Sequence, residues 1–298
     1  LIDPDAAALY LRDMTKTVFP SGLSAIAEQY DAILCDVWGV IHNGRHAFEE
    51  ACEALIRFRD AGGAVVLITN APVPKHQVLQ FFDPLGVPPE AFDDCVSSGD
   101  ATREVLKQRT GDVFWRLGAD EGFEHDRFLY EGLNLQFGGS DTSDCLLCIG
   151  LEDQVSDEPE DYRDRLAHAV DRGMDMICAN PDIRVRIGDH LHWCAGALAK
   201  IFEEEGGTVI YPGKPHSVIY DLALSRLADM GVEPAPGRVL CIGDSPATDM
   251  AGAAAQGFDG LYVGTGLRQH GSDFSDEVSS LLEEYGVTAR WALPGLVW

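Results

Sequence analysis

Four short runs of the chain are continuously apolar, and each ends in a polar group able to do chemistry. They are Ala32-Ile-Leu-Cys-Asp36, Ala64-Val-Val-Leu-Ile-Thr69-Asn70, Val209-Ile-Tyr-Pro-Gly-Lys214 and Val239-Leu-Cys-Ile-Gly-Asp244. Unbroken β-branched runs of this length, without polar alternation, read as strands covered on both faces of a parallel sheet. Helical patterns follow or intervene over Ala47–Asp60, Lys75–Phe82, Pro215–Met230 and Pro246–Gln256, several opening on Pro or closing near Gly. Strands alternating with helices predict a doubly wound, mainly parallel α/β core sheet of Rossmann-like type. In such a sheet ligands gather beyond the carboxyl ends of the strands, so all four polar termini are expected on one edge.

About 140 residues separate the second run from the third. The helix after Thr69 and the run Asp94–Ser98 fit the core, with Ser97-Ser98-Gly99 expected to end a strand and begin a hinge. The remainder has its own strand-like runs (Val113–Leu117, Cys145–Ile149, Met174–Cys178) and helix-like segments (Pro159–Asp171, Gly196–Glu205). It reads as a second α/β domain inserted into the first: 1–99 and 208–298 form the core, 100–207 the insertion, with linkers near Gly99 and Gly206-Gly207. At roughly 150 residues per domain, 298 residues suit two domains.

Charge narrows the function. Asp and Glu number 49 against 22 Lys and Arg, only five of them Lys, for a net charge of −27. Nucleic acid needs clustered cations, so this charge argues against it as a partner. The longest mostly apolar stretch, Ala61–Ile68, falls far short of the ~20 residues of a spanning helix. The N-terminal stretch carries Asp3, Asp5 and Asp13 and shows no signal-peptide pattern. A soluble cytoplasmic protein is therefore expected. Its eight cysteines read as small core residues. Cys145 and Cys148 have metal-like spacing but would point to opposite faces of a strand. The C-terminal Trp291 and Trp298 read as packing anchors.

Taken as one site, Asp36, Asp244 and Asp249 place three carboxylates together, which demands compensating positive charge. Lys214 and a divalent cation would supply it, and hard oxygen ligands beside a phosphate suit Mg²⁺. Thr69 and Asn70 can offer a hydroxyl, an amide and backbone N–H groups to a phosphoryl oxygen.

In this order the motifs Asp36-x-x-Gly39-Val40, Thr69-Asn70, Gly213-Lys214-Pro215 and Gly243-Asp244-x4-Asp249 resemble those of the haloacid dehalogenase-like (HAD) superfamily. The long insertion is similar to the type II cap of its subfamily IIA. Ala179-Asn-Pro-Asp182, Cys194-Ala-Gly-Ala-Leu198 and Gly213-Lys-Pro-His216 resemble its branch of nucleotide, sugar-phosphate and p-nitrophenyl phosphate phosphatases. The resemblance implies a Mg²⁺-dependent phosphatase acting on a small phosphorylated metabolite. Asp36 would be the nucleophile that becomes an aspartyl-phosphate. Asp36, the Trp38 carbonyl and Asp244 would ligate Mg²⁺, and Asp249 would hold a metal-bound water. Thr69, Asn70 and Lys214 would bind the phosphoryl group, Lys214 also serving catalysis. Asp182, Arg184, Arg186, His192 and Trp193 fall where the family's cap selects substrates, and a cap-mediated homodimer is compatible with the resemblance.

One position departs from the family pattern. Two residues after the nucleophile such phosphatases carry an Asp that protonates the leaving oxygen and activates water, and here Trp38 stands there. Indole cannot transfer that proton, and loss of a positioned acid/base typically costs about 10²–10⁴-fold. His42 is the nearest substitute in sequence. The alternatives are a catalytically weak phosphate-ester binding or regulatory protein, or different chemistry on the same fold such as carbon–halogen cleavage, against which the retained Asp244 and Asp249 count.

Overall fold

The computed structural model describes residues 16–119, 125–187, 190–266, 271 and 273–298. The N-terminal stretch bearing Asp3, Asp5 and Asp13 lies outside them. In chain order the strands are β1 (Ala32–Cys35), β2 (Ala64–Thr69), β3 (Asp94–Ser97), β4 (Val113–Leu117), β5 (Gln136–Phe137), β6 (Cys145–Cys148) and β7 (Asp175–Cys178). There follow β8 (Arg184–Ile187), β9 (His190–Trp193), β10 (Val209–Ile210), β11 (Val239–Gly243), β12 (Asp259–Val263) and β13 (Trp291–Leu293). Six make a parallel sheet in the order β13-β12-β11-β1-β2-β3. Five make a second parallel sheet, β10-β7-β6-β4-β5, and β8 and β9 pair as an antiparallel hairpin.

The unbroken apolar runs are explained by burial on both faces. Ile33, Cys35, Val65, Leu67, Leu240 and Ile242 pack on the side of helix Glu49–Asp60. Their neighbours Ala32, Leu34, Val66, Ile68, Val239 and Cys241 pack against Ile219, Ala223 and Leu227 of helix Ser217–Asp229. The second sheet is built the same way, and its two cysteines of metal-like spacing part company there. Cys145 joins the layer with Phe114 and Leu147, Cys148 the opposite layer with Leu117 and Met176. All eight cysteines are free and buried. Trp291 sits in β13 with its indole N–H donating to Tyr30 Oη at 2.6 Å, and Trp298 packs against the same core. No helix among the described residues is long and apolar enough to cross a membrane.

Three sequence expectations need correction. The run Val209–Lys214 is not a core strand: Val209 and Ile210 pair with Met176 and Ile177 at the edge of the second sheet. A two-residue apolar pair says strand but does not say which sheet. Gly206-Gly207 is not a linker between the units but the C-terminal turn of helix Ala195–Glu204. Gly206 takes φ +91° there, and the two glycine N–H groups donate to Glu203 and Phe202 carbonyls. Gly99 is likewise no loop hinge. Ser97 caps helix Ser98–Gln108 with a capping box to Asp100, so Gly99 lies in the first helical turn. A Cβ on Gly99 would come within 2.3 Å of the Val73 backbone. Ala101 of this helix packs under the first sheet and Leu106 under the second, so a continuous helix joins the two units.

Candidate active site

In the first sheet the chain turns in opposite directions from β1, toward β2 and β3 on one side while β11 lies on the other. Such a switch point opens a crevice at the strand ends, and Asp36 and Asp244 are the residues that step off β1 and β11 into it. Asp36 N–H donates to Ile242 O at 2.8 Å, fixing the end of β1 against β11. The chain then doubles back over Val37–His42, a tight loop in which Gly39 takes φ +84°. After Asp244, Ser245 caps a π-helical turn, Pro246–Met250, that brings Asp249 back toward the strand ends. Asp249 Oδ2 accepts from Ser245 N–H at 3.1 Å. Gly243 permits this approach, since a Cβ there would stand 2.1 Å from Asp249 Cγ.

Carboxylate oxygens of Asp36, Asp244 and Asp249 thus lie within 4.8 Å of one another. Lys214 Nζ donates to Asp36 Oδ1 and to Asp249 Oδ1, both at 2.6 Å. Asn70, at the end of β2, brackets the lysine: its Oδ1 accepts from Lys214 N–H at 2.8 Å, and its Nδ2 donates to Lys214 O at 3.3 Å. The same Nδ2 donates to Asp182 Oδ1 at 2.9 Å, across from the second unit. The Asn70 amide is therefore spent on the protein. Thr69 Oγ1 accepts from Ala71 N–H at 3.3 Å and keeps its own proton to give.

Two buried carboxylates and the half-buried Asp244 share one ammonium, and the titration behaviour follows from that imbalance. Burial, more than Lys214 can offset, pushes Asp36 above the usual carboxylate range. Burial also carries Asp249 up to about 6. Asp244 is driven well above its ordinary value, by burial and then by the charges of Asp36 and Asp249. Burial works against the Lys214 ammonium, but Asp249 and Asp36 outweigh it and hold its pKa well above normal. A cluster of hard oxygen donors so short of positive charge fits a divalent cation.

Above these groups lies a cavity of about 710 Å³ whose walls come from both units, including Asp36, Thr69, Asn70, Lys214 and Asp244 from the expected set. Comparison with known proteins decides the family. A solved haloacid dehalogenase-like hydrolase from Brucella suis superposes with a TM-score of 0.82 at 35% identity, covering 94% of this chain and 100% of that one. The chain belongs to the haloacid dehalogenase-like hydrolase family. The family's sequence model, haloacid dehalogenase-like hydrolase, matches residues 33–126, and a HAD-hydrolase-like model matches 211–280. A 5'-nucleotidase of Bacillus subtilis, YutF, is 27% identical over 251 residues, covering 82% of this chain and 91% of its own. A possible sugar phosphatase from Cytophaga hutchinsonii shares the fold, with TM-score 0.76, 18% identity and 95% and 99% coverage.

In this HAD hydrolase Trp38 is half-buried in the cavity wall. His42 is elsewhere: its Nδ1 accepts from Gly44 N–H at 3.1 Å, its ring stands edge-on to Phe82, and it is not a cavity-lining residue. Burial lowers its pKa to about 4, so it is neutral at pH 7. Of the expected substrate-selecting residues, Asp182 and Arg184 line the cavity, whereas Arg186, His192 and Trp193 do not. The hairpin accounts for this. Trp193 Nε1 donates to Glu158 Oε2 at 2.9 Å, Arg184 lies over the Trp193 ring, and His192 Nδ1 sits 3.3 Å from Gln154 O. His216 stands at the N-cap of helix Ser217–Asp229 without capping it, and stacks instead on Tyr211 with ring centroids 4.7 Å apart. Tyr211, Lys200 and Glu203 are wall residues that sequence reasoning missed. Tyr211 lay close to the Gly213-Lys214 motif, but nothing local marks Lys200 or Glu203.

Asp244 is kept in place by missing side chains. A Cβ on Gly266 would fall 1.5 Å from Asp244 Oδ2. Gly266→Ala is expected to fold while losing at least about tenfold in divalent-cation affinity, the scale at which disturbed ligand support usually tells. Calorimetric titration with Mg²⁺ checks it; an unchanged affinity would mean Asp244 is no ligand.

Proposed function

We propose that this hydrolase is a Mg²⁺-dependent phosphatase of small phosphorylated metabolites, acting through an aspartyl-phosphate on Asp36. The observation that carries the reading is the convergence of four groups from three distant stretches of the chain at one sheet switch point. Two carboxylates there are each 2.6 Å from one buried ammonium, and a third completes the cluster. Asp36 attacks phosphorus in line and splits the hydrolysis into two displacements. Lys214 keeps the anionic nucleophile and the anionic ester from repelling each other. The Thr69 hydroxyl donates to a phosphoryl oxygen, and Asn70 holds Lys214 at its station. Asp36, the Trp38 carbonyl, Asp244 and Asp249 would hold Mg²⁺, which when bound neutralises phosphoryl charge.

The second sheet with its helices is, in this reading, a cap that selects the substrate. The cavity is of metabolite size, and the stacked Tyr211 and His216 rings form part of its wall. That wall suits an ester whose alcohol carries a planar ring, such as a nucleoside monophosphate or an aryl phosphate, in line with the nucleotidase relative. Trp38 in the wall favours one rival, a protein that binds phosphate esters and barely turns them over. Phosphate release from p-nitrophenyl phosphate in the presence of Mg²⁺ separates them. Asp36→Asn should lower the rate by at least about 10³-fold, as loss of a nucleophile does, and a chelator should stop wild-type turnover. Tight ester binding without turnover would favour the rival.

A further inference from the structure

We propose that Asp182, on the segment between β7 and the β8–β9 hairpin, is the general acid and base of this site, performing from the second unit the proton transfers that Trp38 cannot. The inference rests on the phosphatase reading above.

In-line chemistry fixes where such a group must stand. The leaving oxygen departs opposite Asp36, and water later attacks the aspartyl-phosphate from the same side. One group facing Asp36 across the phosphorus can therefore serve both steps. Asp182 comes to the cavity from the second unit, and a short chain of contacts ties it to the nucleophile. Its Oδ1 accepts from Asn70 Nδ2 at 2.9 Å, Asn70 grips the Lys214 backbone, and Lys214 Nζ lies 2.6 Å from Asp36 Oδ1.

The segment is held as a preorganised one should be. Asp182 N–H donates to Asn180 Oδ1 at 3.1 Å, Gly196 N–H donates to Asn180 O at 2.9 Å, and Ser98 Oγ donates to Ala179 O at 2.6 Å. A Cβ on Gly196 would meet Pro181 O at 2.2 Å, so only glycine lets helix Ala195–Glu204 press this close. Two other titratable wall groups serve worse. Lys214 stays protonated, and His216, stacked on Tyr211, has its pKa lowered by burial, which disfavours the imidazolium that an acid would need. Asp182 is shifted the useful way: burial raises its pKa, with Asp249 adding to the rise, against the pull of Lys214 and Asn70. Cys178 and Cys194 face it from its own unit, their thiols kept neutral chiefly by burial.

The steps balance. Asp36 Oδ bonds to phosphorus as the ester P–O bond breaks, and the Asp182 carboxyl proton passes to the departing oxygen, giving the alcohol. The Asp182 carboxylate then takes a proton from water while that water's oxygen bonds to phosphorus. The Asp36–phosphorus bond breaks, and hydrogen phosphate leaves with both side chains restored.

Asp182→Asn keeps an oxygen for Asn70 and removes only the proton transfer. An alkyl phosphate needs an acid, so its kcat/KM should fall about 10²–10⁴-fold. p-Nitrophenolate leaves without one, so kcat/KM for p-nitrophenyl phosphate should change by less than about tenfold while p-nitrophenol appears in a burst and slow turnover follows. Asp182→Ala should lose both, with formate in the medium restoring the second step; this arm stands if the asparagine variant does not fold. Equal losses on both esters without a burst would make Asp182 a positioning residue and overturn the proposal, as would unchanged kinetics. Asp36→Asn runs in the same assay. If it retains activity the phosphatase reading fails, whereas a dead Asp36→Asn beside a normal Asp182→Asn sinks only this inference.

Discussion

Replacing Lys214 by methionine is expected to destabilise the fold by about 3–5 kcal/mol at pH 7 and to abolish phosphate release. The stability loss has a definite source. Lys214 is only 3% exposed, and its ammonium is within 2.6 Å of Asp36 and Asp249, which are also buried. Removing one partner of such a cluster leaves uncompensated carboxylates out of water, which costs far more than the pair itself was worth. The pH dependence follows from the directions of the shifts. Asp36 and Asp249 already have folded-state pKa values above their unfolded ones, Asp249 at about 6. Stability from such groups is fully present below the unfolded value of roughly 4 and is lost as pH rises through the folded value. Without the lysine these values climb further, so the deficit against wild type should be large at pH 7 and small near pH 4. Urea denaturation in a chelator at the two pH values measures this. Equal stability at pH 7 would show that the lysine does not hold the cluster together.

Mg²⁺ affinity should rise with pH, by up to about tenfold per unit between pH 5 and 7 for each proton displaced. Asp244 is driven well above the usual range, by burial first and then by Asp36 and Asp249, and Asp249 titrates near 6. A cation binds the ionised oxygens, so it must expel whatever protons they hold, and acid competes with metal. At a hundredfold excess over Kd the ion should add about 2.7 kcal/mol to the folding stability. Calorimetry in two buffers of different ionisation enthalpy counts the protons released, and it needs no turnover. A pH-independent affinity without proton release would place the metal away from these three residues.

How much of this could be read in advance depended on the range of the physics involved. Asp36 and Asp244 were legible because two-sided burial makes β1 and β11 unbroken apolar runs, and the first polar residue after each must stand at the sheet edge. Lys214 was legible as a residue but not by its route, since Val209 and Ile210 carry no information about the partner strand. β12 and β13 escaped notice for local reasons: β12 opens on Asp259 and Gly260, and β13 is three residues long. Arg184 and Arg186 were legible only as cap positions, and nothing in the sequence said that Arg184 would turn onto Trp193. The Asn70–Asp182 hydrogen bond joins residues 112 apart in sequence, and no periodicity reports a contact at that distance.

The edge strand β10 has a consequence for how such proteins can diverge. The chain passes from β10 through Tyr211 and Gly213 directly to Lys214, so the last strand of the inserted sheet aims the lysine that serves the other sheet. The insertion cannot then be exchanged as an independent cassette. A graft ending at Gly207 would hand the lysine to a foreign strand neighbour, and one ending after Lys214 would bring in a foreign lysine with it. New specificity in this lineage is inherited together with the alignment of the phosphate site.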